Sequence, residues 1–347
     1  MSMPVLWLTG TPGAGKTTVA WALREEQRDV GFVDIDQINM CYPETARDPG
    51  RFGIAADNLV AVAAGHRAAG ARALIVSGCV DPGRGVLTDR LPGLTVTRCH
   101  LRAAPEVLRR RLVGRNAGAG FVEAALTAPD HDDGIDTSGL TVAEVVALVK
   151  KRTTGWLDSA GEQVPPEIPH PPGGRILWLC GATGVGKSTA GFDVYLRRLP
   201  GAYVDLDQIG FAPGGHEMRA RILAGMWHTF HRAGAETLTM VGPAEDAAAI
   251  ATYARALPAA TLTVARLHAS PGELHDRIQL RRHLGGWAQP GDPLIGRLSS
   301  YLSEVARSAA AEAAALERTS LGDLRIDTDG LSARQVADTV MAAIAEE

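Results

Sequence analysis

The chain has 347 residues, a formal net charge of −4 and 46% hydrophobic residues, the balance of an ordinary globular protein long enough for two domains. Its net acidity and 5% aromatic content disfavour a nucleic-acid partner, which calls for a basic groove lined with stacking rings. No apolar run reaches membrane-helix length, and Met1 to Pro4 leads straight into a strand without a targeting signal, so a cytoplasmic protein with no membrane contact is expected.

In chain order, Val5 to Leu8 reads as a strand, and the octet Gly10, Thr11, Pro12, Gly13, Ala14, Gly15, Lys16, Thr17 follows it. This is the phosphate-loop pattern G-x-x-x-x-G-K-[ST], set between a strand and a helix as that pattern requires. Glycines let successive N–H groups turn inward around phosphate oxygens, and the helix adds its positive end. A second strand, Phe32 to Ile35, carries Asp34 and Asp36 at its end. Asn58 to Ala69 reads as a helix, and Ala73 to Val76, Thr95 to Leu101 and Ile135 as further strands. Leu108 to Arg115 reads as an arginine-rich helix, and Val142 to Lys150 as a helix capped by Thr141 with Glu144 three residues on. Residues 158–174, rich in Pro and Gly, cannot sustain a helix and read as a stiff linker.

Beyond the linker the same order returns. Ile176 to Leu179 leads into Gly181, Ala182, Thr183, Gly184, Val185, Gly186, Lys187, Ser188, a second phosphate loop in which Lys187 lies 171 residues after Lys16. Trp7 and Trp178 keep that offset, as do the acidic pairs Asp34, Asp36 and Asp205, Asp207. It drops to 164 between Ala69 and Ala233, so the second half loses about seven residues after its second strand. It stands at 166 for Arg111 with Arg277 and Arg115 with Arg281, then rises to 191 at Asp136 and Asp327, which puts an insertion after the second arginine helix. Strands at Tyr203 to Leu206, Thr237 to Val241, Thr261 to Leu267 and Leu324 to Ile326 complete the parallel with the first half.

Strands alternating with helices predict an α/β protein of two tandem phosphate-loop domains, each a parallel sheet with helices on both faces. The expected limits are 1–157 and 175–347, with the two halves packed on each other.

The expected nucleotide-binding set is Gly10, Thr11, Gly13, Ala14, Gly15, Lys16, Thr17 and Thr18, with Gly181, Ala182, Gly184, Val185, Gly186, Lys187, Ser188 and Thr189 in the second half. Lys16 and Lys187 would reach the β- and γ-phosphates of ATP, and the hydroxyls of Thr17 and Ser188 would ligate Mg²⁺. Carboxylates two residues apart at a strand end face the same side. Asp34 and Asp205 are assigned to the metal shell, and Asp36 and Asp207 to the hydroxyl of an acceptor. No acid ends the third strand of either half; Asp81 and Glu245, just beyond, are secondary candidates. Arg111 with Arg115, and Arg277 with Arg281, lie four apart on one helical face and suit phosphate oxygens, whereas Arg109, Arg110 and Arg282 read as surface charge. Cys41, Cys79, Cys99 and Cys180 form no C-x-x-C pair and read as reduced thiols.

With phosphate loop, Asp-x-Asp and arginine helix in this order, each half resembles the small P-loop kinases related to shikimate, gluconate, adenylylsulfate and nucleoside-monophosphate kinases and to chloramphenicol phosphotransferase. The resemblance implies an ATP- and Mg²⁺-dependent transfer of phosphate to a hydroxyl of a small metabolite, nucleoside or antibiotic-like molecule. Arg111, Arg115, Arg277 and Arg281 would act as a lid, and Asp136-Thr137 and Asp327-Thr328 would lie near the adenine. An ATP-binding switch without a small acceptor is the alternative, and a polynucleotide kinase a more distant one. Residues 41–52 of the first half are longer than Phe211 to Glu217 of the second and are a reasonable place for acceptor contacts, which favours the first half as the substrate-specific one.

Overall fold

The computed structural model describes residues 2–114, 117–127, 133–158, 170–211, 214–282 and 292–345. The first half runs β1 (Met3–Thr9), α1 (Lys16–Glu25), β2 (Val30–Asp34), β3 (Cys41–Tyr42), α2 (Phe52–Ala68), β4 (Ala73–Ser77), β5 (Leu94–Arg102), α3 (Pro105–Val113), α4 (Ala119–Thr127), β6 (Ile135–Asp136) and α5 (Val142–Arg152). The second runs β7 (Gly174–Cys180), α6 (Lys187–Arg197), β8 (Gly201–Asp205), α7 (Gly215–Arg232), β9 (Thr237–Val241), α8 (Ala247–Ala256), β10 (Ala260–His268), α9 (Pro271–Leu280), α10 (Ser299–Arg318), β11 (Leu324–Asp327) and α11 (Ala333–Ala345).

The first sheet has the order β2-β4-β1-β5-β6, with its strands parallel. In the second, β8-β9-β7-β10-β11 repeats that order, again parallel. Every residue of β1 is buried, as expected for a central parallel strand covered on both faces. In this topology the strands' carboxyl ends form one rim of each sheet, and both phosphate loops leave from it.

One strand departs from the sequence expectation. β3 belongs to the first half but pairs antiparallel with β8 of the second, Cys41 opposite Ala202 and Tyr42 opposite Gly201. The second half reciprocates at Phe211, which bridges Phe32 of β2. The Phe211 ring stands edge-on to Trp21 of α1 at 4.9 Å and lies 5.6 Å from Phe32. The β8 edge of one sheet and the β2 edge of the other are thus each met by a short segment of the other half, which pairs some of their edge N–H and C=O groups.

Behind these edges α2 and α7 meet closely. A Cβ on Gly65 would fall 2.2 Å from Ile222 Cγ1, so glycine sets how near the helices come. One apolar cluster runs through the seam, joining Val33, Leu59 and Val62 to Ile222, Met226 and Phe230.

Helix α2 starts at Phe52, six residues before the periodicity predicted, because Asp48 accepts from the backbone N–H of Gly53 and Ile54 at 2.8 and 2.9 Å and satisfies its first turn. The capping box at Thr141 and Glu144 forms as predicted. Of the linker, residues 159–169 lie outside the described residues; its end is tied by Trp227 Nε1 donating to the carbonyl of Pro172 at 3.1 Å. The insertion of the second half forms part of α10, whose buried stripe Leu302, Ala306, Ala309, Ala313 and Leu316 steps by four and three along one face.

Candidate functional site

Both octets fold into the same loop. Gly10 and Gly181 sit at φ 137 and 136, and a Cβ there would lie 1.9 Å from the carbonyl oxygen of Leu101 or 2.4 Å from that of Leu267. Gly15 and Gly186, at φ 95 and 100, turn the chain into α1 and α6. Lys16 Nζ folds back to the carbonyls of Gly10 and Thr11 at 2.8 and 3.0 Å, and Lys187 Nζ to those of Gly181 and Ala182 at 2.7 and 3.0 Å. Each ammonium is therefore held beside the cradle. Burial draws the Lys187 ammonium below its ordinary pKa, against the pull of Glu312, Asp207 and Asp205.

The residues after the lysines meet the acidic pairs. Thr17 Oγ1 donates to Asp34 Oδ2 at 2.8 Å, and Ser188 Oγ to Asp205 Oδ2 at 2.9 Å. The other oxygen of each aspartate accepts the backbone N–H two residues on, from Asp36 at 3.1 Å and from Asp207 at 3.0 Å. The buried Asp thus fixes the turn that presents the exposed one. In the first half Ser77 Oγ also donates to Asp34 Oδ2, at 2.8 Å. Ser77 ends the third strand where an acid would be the sequence signal of a metal site, and a serine there carries no such signal. Burial, then the Asp207 charge, raises Asp205 to about 6.

Asp36 projects from this turn into the mouth of the first cleft. Crowding by the cleft walls and then the Asp34 charge push its carboxyl up to about 7, against Lys16 and Arg51. The carboxyl is open to water on one side, which screens part of the effect. Arg51 was not singled out by its residue type. Its backbone is left-handed at φ 58, its guanidinium lies 4.2 Å over the Tyr42 ring, and Glu44 stands 3.7 Å away. Within residues 41–52, Asp48 is engaged in capping α2 and Tyr42 faces Tyr195 of the other half at 6.2 Å, which leaves Arg51 as the charged group near Asp36.

The corresponding side of the second half is filled by its own pairs. Arg219 lies 3.7 Å from Asp207, and His216 joins Tyr253 Oη at 3.1 Å to Glu245 at 2.5 Å. Glu245 is therefore paired with a histidine, and Asp81, held by Arg84 at 2.8 Å, closes a turn.

Two of the expected lid arginines bind the phosphate loops themselves. Arg111 donates to the loop carbonyl of Gly13 at 3.1 Å and to the Thr137 hydroxyl and carbonyl at 2.9 and 3.0 Å. Arg277 repeats this on Val185 and Thr328 at 3.0, 2.9 and 2.7 Å. Loop carbonyls turned away from the anion cradle still need donors, and a guanidinium fork satisfies several at once. Arg281 pairs with the buried Asp292 at 2.8 Å. Arg115 lies outside the described residues.

Beside the first loop an open cavity of ≈ 320 Å³ is lined by Gly15, Thr18, Arg110, Arg111, Thr137 and Leu140 among others. Arg110, read from sequence as surface charge, is part of that wall. Cys41, Cys99 and Cys180 are buried free thiols and Cys79 is half-buried; burial raises the first three to about 11.

Residues 6–123 match the family described as the AAA domain. In fold the chain is similar to solved structures of proteins that are named as kinases. Among solved structures it resembles a sugar kinase from a Janibacter species, at 20% identity over 46% of this chain and 96% of that one with a TM-score of 0.32. It also resembles the tunicamycin resistance protein of Deinococcus radiodurans, at 23% identity over 47% and 99% with a TM-score of 0.35. A third is the shikimate kinase of Bacteroides thetaiotaomicron, at 17% identity over 50% and 97% with a TM-score of 0.33. No curated protein matches the chain. No helix among the described residues is long and apolar enough to cross a membrane.

Proposed function

We propose that this chain, similar to small P-loop kinases and built of two phosphate-loop folds, is a phosphotransferase that uses ATP and Mg²⁺ to phosphorylate a hydroxyl of a small molecule. We assign the transfer to the first half, residues 1–157, and a supporting nucleotide site to the second, residues 175–347. The observation that carries the reading is the first-half triad of Thr17, Asp34 and Asp36, in which the buried acid binds the loop hydroxyl at 2.8 Å and presents the exposed acid to the cleft.

The loop amides and Lys16 would hold the β- and γ-phosphates, and the cavity walled by Arg111 and Thr137 would take the base. A hydroxyl and a carboxylate form a hard, all-oxygen donor set, which fits Mg²⁺; Thr17 and Asp34 would hold it, and when bound it would offset charge on the phosphate oxygens. Asp36 accepts the proton of the acceptor hydroxyl. That oxygen attacks the γ-phosphorus in line, the bond to the β-γ bridging oxygen breaks, and ADP leaves. A carboxyl raised towards neutral pH is a stronger base than an ordinary aspartate. The filled acceptor side of the second half, Arg219 on Asp207 and His216 on Glu245, supports giving the transfer to the first.

The test is transfer of label from γ-labelled ATP into a fractionated cell extract by wild-type, Lys16→Met and Lys187→Met proteins. Label entering a small molecule and vanishing with Lys16→Met is the expected result. Loss with Lys187→Met alone would move the active site to the second half, and nucleotide binding without transfer would point to a switch protein.

A further inference from the structure

The two phosphate loops differ at four positions, and at one of these a backbone donor is gained or lost. Third in the first octet is Pro12, which has no N–H; its counterpart is Thr183, which has one. That N–H is already engaged. It donates to Glu312 Oε2 at 3.1 Å, from helix α10.

Glu312 is held in place. It lies beside Ala313 on the margin of the apolar stripe that seats α10, and five residues on Glu317 ties the helix end to the sheet through Arg266 at 2.5 Å and Arg325 at 2.9 Å. The carboxylate also acts on Lys187 more strongly than either aspartate of the site. A loop whose amides and lysine are built to receive anionic oxygens therefore already holds one. An ATP bound there would bring its terminal phosphate charge up against a fixed carboxylate, while a shorter phosphate chain carries less charge towards it.

We propose that Glu312 is a specificity-determining residue that makes the second loop selective for nucleoside diphosphate over triphosphate. The inference rests on the reading of that loop as a nucleotide site. It gives the two halves different ligands: ATP at the first and ADP, the product of transfer, at the second. The first loop, with Pro12 in place of the donor, has no N–H at this position to hold such a carboxylate.

The experiment is calorimetric titration of the full-length Lys16→Met protein, with the second site intact, using Mg·ADP and a non-hydrolysable Mg·ATP analogue; addition of Lys187→Met identifies the signal of the second site. ADP is expected to bind about tenfold tighter than the analogue. Glu312→Gln, which keeps the shape and removes the charge, is expected to tighten the analogue about tenfold and leave ADP within about twofold. Thr183→Pro, which copies the first loop, should shift the preference in the same direction and guards against a folding defect in either variant. Equal affinity in the parent, or a ratio unchanged by Glu312→Gln, would overturn the proposal. So would the absence of any binding that depends on Lys187. In all three cases label transfer by the Lys16 site of the otherwise wild-type protein stands or falls separately.

Discussion

His66, in α2 of the first half, donates its Nε2 hydrogen to the carbonyl oxygen of Ile209 in the second, 3.1 Å away. A carbonyl only accepts, which assigns the tautomer. The other ring nitrogen has no hydrogen-bond partner among the described residues and lies against Gly31, where a Cβ would stand 2.2 Å from it. Burial, against the bond to Ile209, lowers this imidazole from 6.5 to about 4.

A lowered histidine pKa means that the folded chain binds fewer protons than the unfolded one between about 4 and 6.5. The contribution is fully present above 6.5 and is lost as pH falls towards 4, to a total of about 3 kcal/mol. Urea unfolding at pH 7 and pH 5 should show the wild type losing about 2 kcal/mol more than His66→Gln, whose amide can still donate across the seam. Equal losses in both proteins would exonerate His66.

Gly65→Ala should raise intrinsic helix propensity by about 1 kcal/mol and yet destabilise the protein by about 1–3 kcal/mol, because the new methyl meets Ile222 Cγ1 at 2.2 Å. The combination with Ile222→Ala should cost less than the two single changes added together. Strict additivity in that double-mutant cycle would mean that the helices are not in contact there.

Asp36→Asn should lower kcat by about 10² to 10⁴ and leave nucleotide affinity nearly unchanged. The wild-type rate should rise with pH as Asp36 loses its proton, with an inflection well above 3.8 and at or somewhat below about 7. An inflection near 4 would remove Asp36 from the role of elevated base.

Thr17→Val removes the hydroxyl that Asp34 accepts from and that the metal would use. The magnesium concentration for half-maximal rate should rise about tenfold or more, with the fold intact by circular dichroism. Ser77→Ala, which takes away a second donor to Asp34 at 2.8 Å, should produce the same shift on a smaller scale. An unchanged magnesium requirement in Thr17→Val would argue against the assigned ligand pair.

The central strands were legible because buried parallel strands read as continuous apolar runs: Ala73 to Val76 and Thr237 to Val241 fall at Ala73–Ser77 and Thr237–Val241. The loops and acidic pairs were legible because each needs particular residues at fixed spacing. β3 was not, since a pair of residues carries no periodicity and its partner lies about 160 positions away in the chain. Arg111 and Arg277 were singled out by residue type and spacing, but neither says which oxygens a guanidinium meets once the chain folds. Ser77 and Glu312 lay beyond reach for the same reason: a serine ending a strand and a glutamate within a helix are ordinary in sequence and distinctive only through Asp34 and Thr183.

In a two-fold homodimer every substitution at the interface or the active site appears twice, and both copies must tolerate it. Here the exchanged edge segments give much the same embrace within a single polypeptide, at a fixed one-to-one stoichiometry that no dilution can undo. Each side is then free to change by itself: Ser77 faces Asp34 where Val241 stands in the other sheet, and Pro12 answers Thr183. Covalent joining lets the two sites of one symmetric scaffold take up different work.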